Sequence, residues 1–250
     1  MERGMWNAES LIASGLPEVT VGIGSSADSD CVESSAEAMG AIVYRDADEL
    51  VSDLVTGRID AAVRGNMSSS LLLPKLKRAL GLASLERSVL LEPVGGKMFF
   101  LAPVGVDEGW TVDQKVDMAV RTVSLMRRIG MGERIAVMSG GRSEDVGRHK
   151  MVDRTIEDAG EVVEALSAKG YDAYDAEILL ESAASEADLI IAPDGISGNI
   201  IFRALHFLGG AAALGAPLVN SEKIYVDTSR AKTDYRDSIA LAMKLTEGRK

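Results

Sequence analysis

The chain has a single cysteine, Cys31, among its 250 residues. A lone thiol excludes an intramolecular disulfide and any multi-cysteine zinc or iron–sulfur centre. It also fits a reducing compartment, so the expected location is the cytoplasm. Histidine is nearly as scarce: His149 and His206 are the only two, too few for a histidine-built metal site, and no metal is expected. Positive charge is in deficit as well, with 27 Lys and Arg against 38 Asp and Glu and a net charge of −11. Non-specific nucleic-acid binding depends on surplus cations, so nucleic acid is not an expected partner. A local cationic pocket for a small anion remains compatible with this balance.

Long apolar runs are absent too. A membrane span needs roughly 20 mainly apolar residues. The most apolar stretch, 200–219, is interrupted by Arg203, His206, Gly209, Gly210, Gly215 and Pro217. It reads as a buried helix followed by a core strand, not as a span. Residues 1–10 have no apolar core behind a basic start, so no secretory signal is expected. No GxxxxGK[ST] occurs, which excludes P-loop phosphoryl transfer. No GxSxG elbow occurs, which argues against a Ser-His-Asp hydrolase. Cys31 falls in an early helical stretch and reads as a packed thiol.

What is present is an ordinary globular composition, 46% hydrophobic and 26% charged. The length allows one large α/β domain or two small ones, either with a proper core. The pattern alternates. Strands are expected over 18–24, 41–44, 59–63, 88–94, 97–104, 134–138, 189–192 and 216–219. Helices are expected over 29–39, 48–56, 68–80, 111–129, 150–169, 200–208 and 232–245. Asp28 is a candidate N-cap and Gly40 a stop for the first helix. The longest helix shows Val112, Val116, Ala119, Val120, Val123 and Met126 at steps of three and four. Gly95-Gly96 joins two strands as a hairpin. Alternating units imply a mostly parallel sheet covered by helices, with ligands bound beyond the carboxyl ends of its strands.

The unusual loops lie at those ends. Gly22-Ile23-Gly24-Ser25-Ser26 allows close backbone approach but lacks the third glycine of a dinucleotide fingerprint. Thr20 stands where adenosylmethionine-binding loops usually carry an acid, which leaves a class I methyltransferase as a weaker reading. Arg64-Gly65-Asn66-Met67-Ser68-Ser69-Ser70 offers three hydroxyls at a helix start and one guanidinium; it is an anion cradle or a solvent-facing N-cap. Ser139-Gly140-Gly141-Arg142-Ser143 and Gly147-Arg148-His149-Lys150 gather basic side chains after a core strand, as phosphate recognition requires. The alternative is a turn in which Glu144 and Asp145 pair with the arginines. Pro193-Asp194-Gly195-Ile196-Ser197-Gly198-Asn199 follows a buried strand. Asp194 is a candidate base or orienter, or else an Asx-turn and N-cap. Asp227-Thr228-Ser229-Arg230, with Asp234 and Asp237 beyond it, can bind and polarise an anionic, carbonyl-bearing substrate.

These loops resemble, in order from about residue 19 to 245, those of the phosphate acetyl- and butyryltransferases. They are also similar to the phosphate acyltransferases of lipid synthesis. The matching segments are 187–200, the serine-rich loop 64–70 with Pro74, Gln114-Lys115-Val116-Asp117, and Ser229-Arg230 with Asp237 after it. Within that superfamily, Ser139-Gly140-Gly141-Arg142, Asp145, Gly147-Arg148-His149 and Val152-Asp153-Arg154-Thr155 resemble a methanogenesis marker family whose members are called methyltransferase subunit X.

The resemblance implies two three-layer α/β/α lobes with mostly parallel sheets, phosphotransacetylase-like or isopropylmalate-dehydrogenase-like, and a cleft between them. The first lobe would be 1–96 plus 218–250. The second would be 97–217, shortened between Lys169 and Ala187. It further implies an archaeal group transferase linked to methanogenesis that acts on a phosphate- or coenzyme-bearing substrate. Ser229, Arg230, Asp194 and Asp237 would be catalytic. Arg64, Asn66, Ser68, Ser69, Ser70, Gly140, Gly141, Arg142, Arg148, His149, Gly198 and Asn199 would hold the anion. Coenzyme A or a methyl-transfer coenzyme of methanogenesis would serve as cofactor. Partners would be a second copy, paired through 200–208 and the Ala-Gly-rich run after it, and other methyltransferase subunits. The alternative is a non-catalytic subunit, a sensor or assembly factor. Two positions depart from the acetyltransferase pattern: Leu73 replaces an arginine, and an acidic residue is missing near Pro103.

Overall fold

The computed structural model describes residues 8–247 except 14, 27 and 28. The chain divides into two compact units, Glu86–Ala213 and, among the described residues, 8–85 with 214–247.

In the unit formed by both ends of the chain, the sheet runs β2 (Ile42–Tyr44), β1 (Val21–Gly24), β3 (Ala61–Val63), β10 (Ile224–Asp227) and β9 (Ala212–Pro217). The first four are parallel, and β9 is antiparallel to β10. Helices α3 (Ala47–Thr56) and α4 (Ser69–Ala79) pack against each other over the face bearing Gly22, Ala62 and Tyr225. Strand alternation turns Val21, Ile23, Val63 and Val226 to the opposite face. There α2 (Asp30–Met39) and α9 (Arg236–Leu245) pack together against the sheet, with α1 (Ala8–Ala13) beside α9. Each aliphatic side chain so enclosed stabilises the fold by about 1.5–3 kcal/mol relative to exposure.

In the middle unit, β4 (Val89–Glu92) and β5 (Phe99–Ala102) form the expected antiparallel hairpin, with Val89 opposite Leu101. Parallel strands follow in the order β8 (Leu189–Ile191), β6 (Ile135–Met138) and β7 (Ala173–Glu177). Helix α5 (Val112–Arg128) buries Val116, Ala119, Val123 and Met126, as its periodicity predicts, and Thr111 caps it by accepting from Gln114 N at 3.2 Å. It packs on α6 (Lys150–Ala168). Short α7 (Leu180–Glu186) lies against β7, and α8 (Gly195–Arg203) against β5.

Several expectations change. Strands β7 and β10 and helices α1 and α7 carry no clear periodic signal and appear only in the structure. The apolar stretch is not a buried helix: α8 begins at Gly195, because Asp194 Oδ1 accepts Ser197 N at 2.8 Å. It continues into a π-helical turn, Ala204–Leu208, whose outer face is open: Ile200 is 62% and Leu208 88% exposed. Strand β9 starts at Ala212, earlier than expected. The last helix starts at Arg236, not at 232, with Asp234 Oδ1 accepting Arg236 N at 2.9 Å. Ser29 occupies the N-cap of α2, while Asp28 lies outside the described residues. Among the described residues no helix is long and apolar enough to cross a membrane.

Candidate functional site

Parallel strands deliver their following loops to one edge of a sheet. In the terminal unit, β1, β3 and β10 bring together 25–26, 64–68 and 228–235. Ser26 N donates to Asn66 Oδ1 at 2.6 Å, and Thr228 Oγ1 to Gly65 O at 2.7 Å. Ser68 makes no side-chain cap bond at the start of α4; its hydroxyl meets Ser70 Oγ at 2.8 Å. The first turn of α4 therefore keeps N–H groups that have no intrahelical acceptor, beside Ser68, Ser69 and Ser70. Ser229 is half-buried; its Oγ accepts Ala231 N at 3.2 Å and its carbonyl accepts Tyr235 OH at 3.1 Å. Burial pushes the Tyr235 phenol up to about 12, so it stays protonated and donates. Arg230 is exposed and forms no ion pair among the described residues.

Two predicted residues are already engaged. Arg64 is buried, its Nε held by the Asp227 carboxylate and its Nη1 donating to Met67 O at 2.8 Å. Asp237 accepts from Lys232 Nζ at 2.7 Å and from Ser238 N at 2.6 Å. Burial raises its carboxyl above the usual range, opposed by the Lys232 charge. Leu73, where the acetyltransferase pattern has arginine, packs against the apolar cluster under α3 and α4.

In the middle unit the loop after β6 is dense with internal acceptors. Gly140 N donates to Thr155 Oγ1 at 2.8 Å, Arg142 N to Asp145 Oδ2 at 2.9 Å, Ser143 N to Glu177 Oε1 at 2.9 Å, and Gly147 N to Asp153 Oδ1 at 2.8 Å. His149 caps α6, with Nδ1 accepting Met151 N at 3.2 Å. Gly141 has close neighbours: a Cβ there would sit 2.6 Å from Val152 Cγ1. The N–H groups of Gly140, Arg142, Ser143 and Gly147 are thus engaged within the protein, which leaves side chains as the groups facing solvent there. Arg142 lies 3.5 Å from Glu144, and Arg148 pairs with Asp145, so the acid–arginine pairing open in the sequence is present. Both guanidiniums remain half or more exposed. A depression of about 390 Å³ is lined by Gly140, Asp145, Arg148, His149 and Val152. The Arg142 N–H and Arg148 hold the Asp145 carboxyl below its usual range, and the Ser143 N–H does the same for Glu177.

The loop after β8 leaves the neighbouring strand at the same edge. Asp194 serves as the N-cap of α8. Gly198 lies inside the helix, not at its start, where a Cβ would come within 1.9 Å of Pro103 O. Asn199 Nδ2 donates to Val104 O at 2.8 Å. Both staple α8 to the loop after β5. Among the described residues no group of three or more His, Cys, Asp or Glu stands close enough to share a metal ion.

Sequence reasoning passed over Glu177 and named Asp227 only as part of the segment 227–230, with no role of its own. Glu177 follows polar Asp175 on a short strand, and its non-glycine φ of 53° leaves no mark in the sequence. Asp227 was visible beside Ser229, but its partner Arg64 is 163 residues away.

No family model matches the chain. Among curated proteins, one from Methanosarcina mazei, named "Putative methyltransferase mtx subunit X", is 39% identical over 242 residues, covering 96% of this chain and 84% of that protein. A protein of the same name from Methanosarcina barkeri is 44% identical over 193 residues, covering 77% and 71%. An uncharacterized methyltransferase of Methanopyrus kandleri is 38% identical over 205 residues, covering 80% of each. Of solved structures, a phosphotransacetylase from Streptococcus pyogenes superposes with TM-score 0.73 at 14% identity, covering 95% of this chain and 96% of that one. A branched-chain phosphotransacylase from Enterococcus faecalis gives 0.72 at 16%, covering 91% and 99%. The fold is thus that of the phosphotransacetylases, and by its identity to these curated relatives the chain belongs to the methyltransferase mtx subunit X family.

Proposed function

We propose that this chain is a group transferase of methyl-transfer metabolism that binds an anionic, phosphate- or coenzyme-bearing substrate at the carboxyl ends of its parallel strands. The observation that carries this reading is Arg230, an exposed guanidinium without an ion pair among the described residues, next to Ser229 and in the same unit as the open first turn of α4. Cation, hydroxyl and helix N-terminus together suit an oxyanion. Ser229 would hydrogen-bond the transferring group and Arg230 would hold the adjoining negative charge. Arg142, Arg148 and His149 would form the anion-holding set of the other unit. Asp194 and Asp237 would act as orienting carboxylates, since a cap bond and an ion pair respectively occupy them. The names of the relatives support transfer chemistry, and the word subunit in them supports assembly with other methyltransferase chains. The exposed outer face of α8 supports pairing with a second copy.

The test is a thermal-shift panel of coenzyme A, inorganic phosphate, and the pterin and thiol coenzymes of methyl transfer. A ligand at 100 times its Kd stabilises the folded state by about 2.7 kcal/mol, which is about 5–10 °C for a chain of this size. At least one compound is expected to give such a shift, and Arg230→Ala to abolish it. No shift from any of them would sink the reading.

A second reading has its own support. Leu73 packs against the apolar cluster under α3 and α4 and Arg64 is tied to Asp227, so neither place offers a guanidinium to a phosphate. A non-catalytic subunit that keeps the fold would look like this. Co-purification with a methyltransferase chain without independent turnover would favour it.

A further inference from the structure

We infer that Arg64 and Asp227 are positioning residues: their buried pair clamps the ends of β3 and β10 and thereby sets where Ser229-Arg230 and Asn66 stand. This rests on the proposed site at Ser229 and Arg230.

Arg64 was a natural candidate for the anion itself, but its geometry points inward. It is 7% exposed. Its Nε is held by Asp227 Oδ1, its Nη1 donates to Met67 O at 2.8 Å, and its own N–H donates to Val226 O at 2.9 Å. One side chain therefore bonds to the loop after β3 and to the last residue of β10. A second tie runs alongside, from Thr228 Oγ1 to Gly65 O. A third draws in the loop after β1. Gly65 has φ 61°, and a Cβ there would lie 1.9 Å from Gly24 O, while Asn66 Oδ1 accepts Ser26 N. The three strand ends are thus locked at backbone contact around one guanidinium. The planar fork of arginine suits this because it bonds a carboxylate and a carbonyl at once, which a lysine cannot do with fixed directions. With Nε and Nη1 both engaged and the side chain buried, Arg64 is placed to act on a ligand through the residues it holds.

The test separates a clamp from mere stability. Compared with the wild type are Arg64→Met, Arg64→Lys and the double variant Arg64→Met/Asp227→Leu. The readouts are melting temperature, amide exchange of residues 66–70 and 230–232, and coenzyme A binding by calorimetry. Replacing a buried ion pair by apolar side chains commonly restores stability, so the double variant is expected to melt near the wild type. Its exchange at both segments is nonetheless expected to stay tenfold or more faster, with coenzyme A binding weakened tenfold or more. Arg64→Met should show the same two losses, and Arg64→Lys should fall between. Unchanged exchange in Arg64→Met overturns the clamp, as does recovery of exchange and binding together with melting in the double variant. If the wild type binds no coenzyme A, the reading of Ser229-Arg230 as a coenzyme site loses that support, while the exchange comparison still decides the role of Arg64.

Discussion

At the scale of single residues, two glycines with similar backbone conformations should tolerate alanine very differently. Gly40, at the C-cap of α2, has φ 67° and nothing within 4 Å of the point where an added methyl group would sit. Gly40→Ala should cost only the left-handed backbone penalty, about 1–2 kcal/mol. Gly65 has φ 61°, but its added carbon would meet backbone, the Gly24 carbonyl, at 1.9 Å. No rotamer relieves that contact, so Gly65→Ala is expected to cost about 3 kcal/mol or more. Urea unfolding of both variants checks the difference, and equal losses would contradict it. The sequence showed that Arg64-Gly65-Asn66 was unusual but could not say why. An arginine amid glycine and serine reads as a ligand contact until its distant partner, Asp227, is placed beside it. Asp194 was legible only as an alternative between base and cap; the Ser197 N–H fixes the cap, which leaves its second oxygen for any other role.

At the scale of elements, legibility followed length and periodicity. The 17-residue α5 is legible within a residue of each end from its apolar stripe, and Thr111, expected as its first residue, proves to be its N-cap. Strand β7, with the sequence Ala-Tyr-Asp-Ala-Glu, lies at the sheet edge and carries too few apolar residues to announce itself. Missing β7 also hid Glu177, and with it the way the loop after β6 is tied down. That loop hangs on carboxylates, which makes its order depend on pH. Asp145 and Glu177 both ionise below the ordinary carboxylate range because backbone N–H groups favour their charged forms. A carboxyl with a depressed folded value contributes stability fully above its unfolded value, about 4. That contribution is lost as pH falls through the lower folded value. The loop should therefore be tight at pH 5 and loosen as pH falls below the unfolded carboxyl value of about 4. Amide exchange at Arg142 and Ser143, corrected for intrinsic rates, is the measurement. Glu177→Gln should remove the pH dependence at Ser143 and leave that at Arg142, where Asp145 still titrates. Acceleration that is identical in the variant at Ser143 would show that Glu177 is not its source.

At the scale of the whole molecule, two features oppose each other in any pairing of copies. The chain carries −11, so two copies repel. Yet α8 and its π-helical turn direct Ile196, Ile200, Phe207 and Leu208 outward, the reverse of an ordinary surface helix. Large exposed apolar patches on soluble proteins commonly mark interaction sites, and we propose that these side chains form one. Arg203, over the Phe207 ring at 5.1 Å, is the cation on this stripe. If the stripe pairs with itself, salt should strengthen the dimer, because raising ionic strength from about 0.01 to 0.15 M shortens the screening length from about 30 to 8 Å. Attraction built on apolar contact survives that change, whereas the repulsion between the acidic bodies does not. Leu208→Glu would remove one buried leucine per copy. Two losses of at least ~1.5 kcal/mol each amount to about 100-fold in the dimer constant. Sedimentation equilibrium over a range of protein and salt concentrations is the check. Expected are dimers that tighten with salt in the wild type and monomers in Leu208→Glu. A wild type that stays monomeric at every concentration and salt level would leave the stripe to a different protein, and tightening at low salt would mean that opposite charges, not this apolar face, hold the copies together.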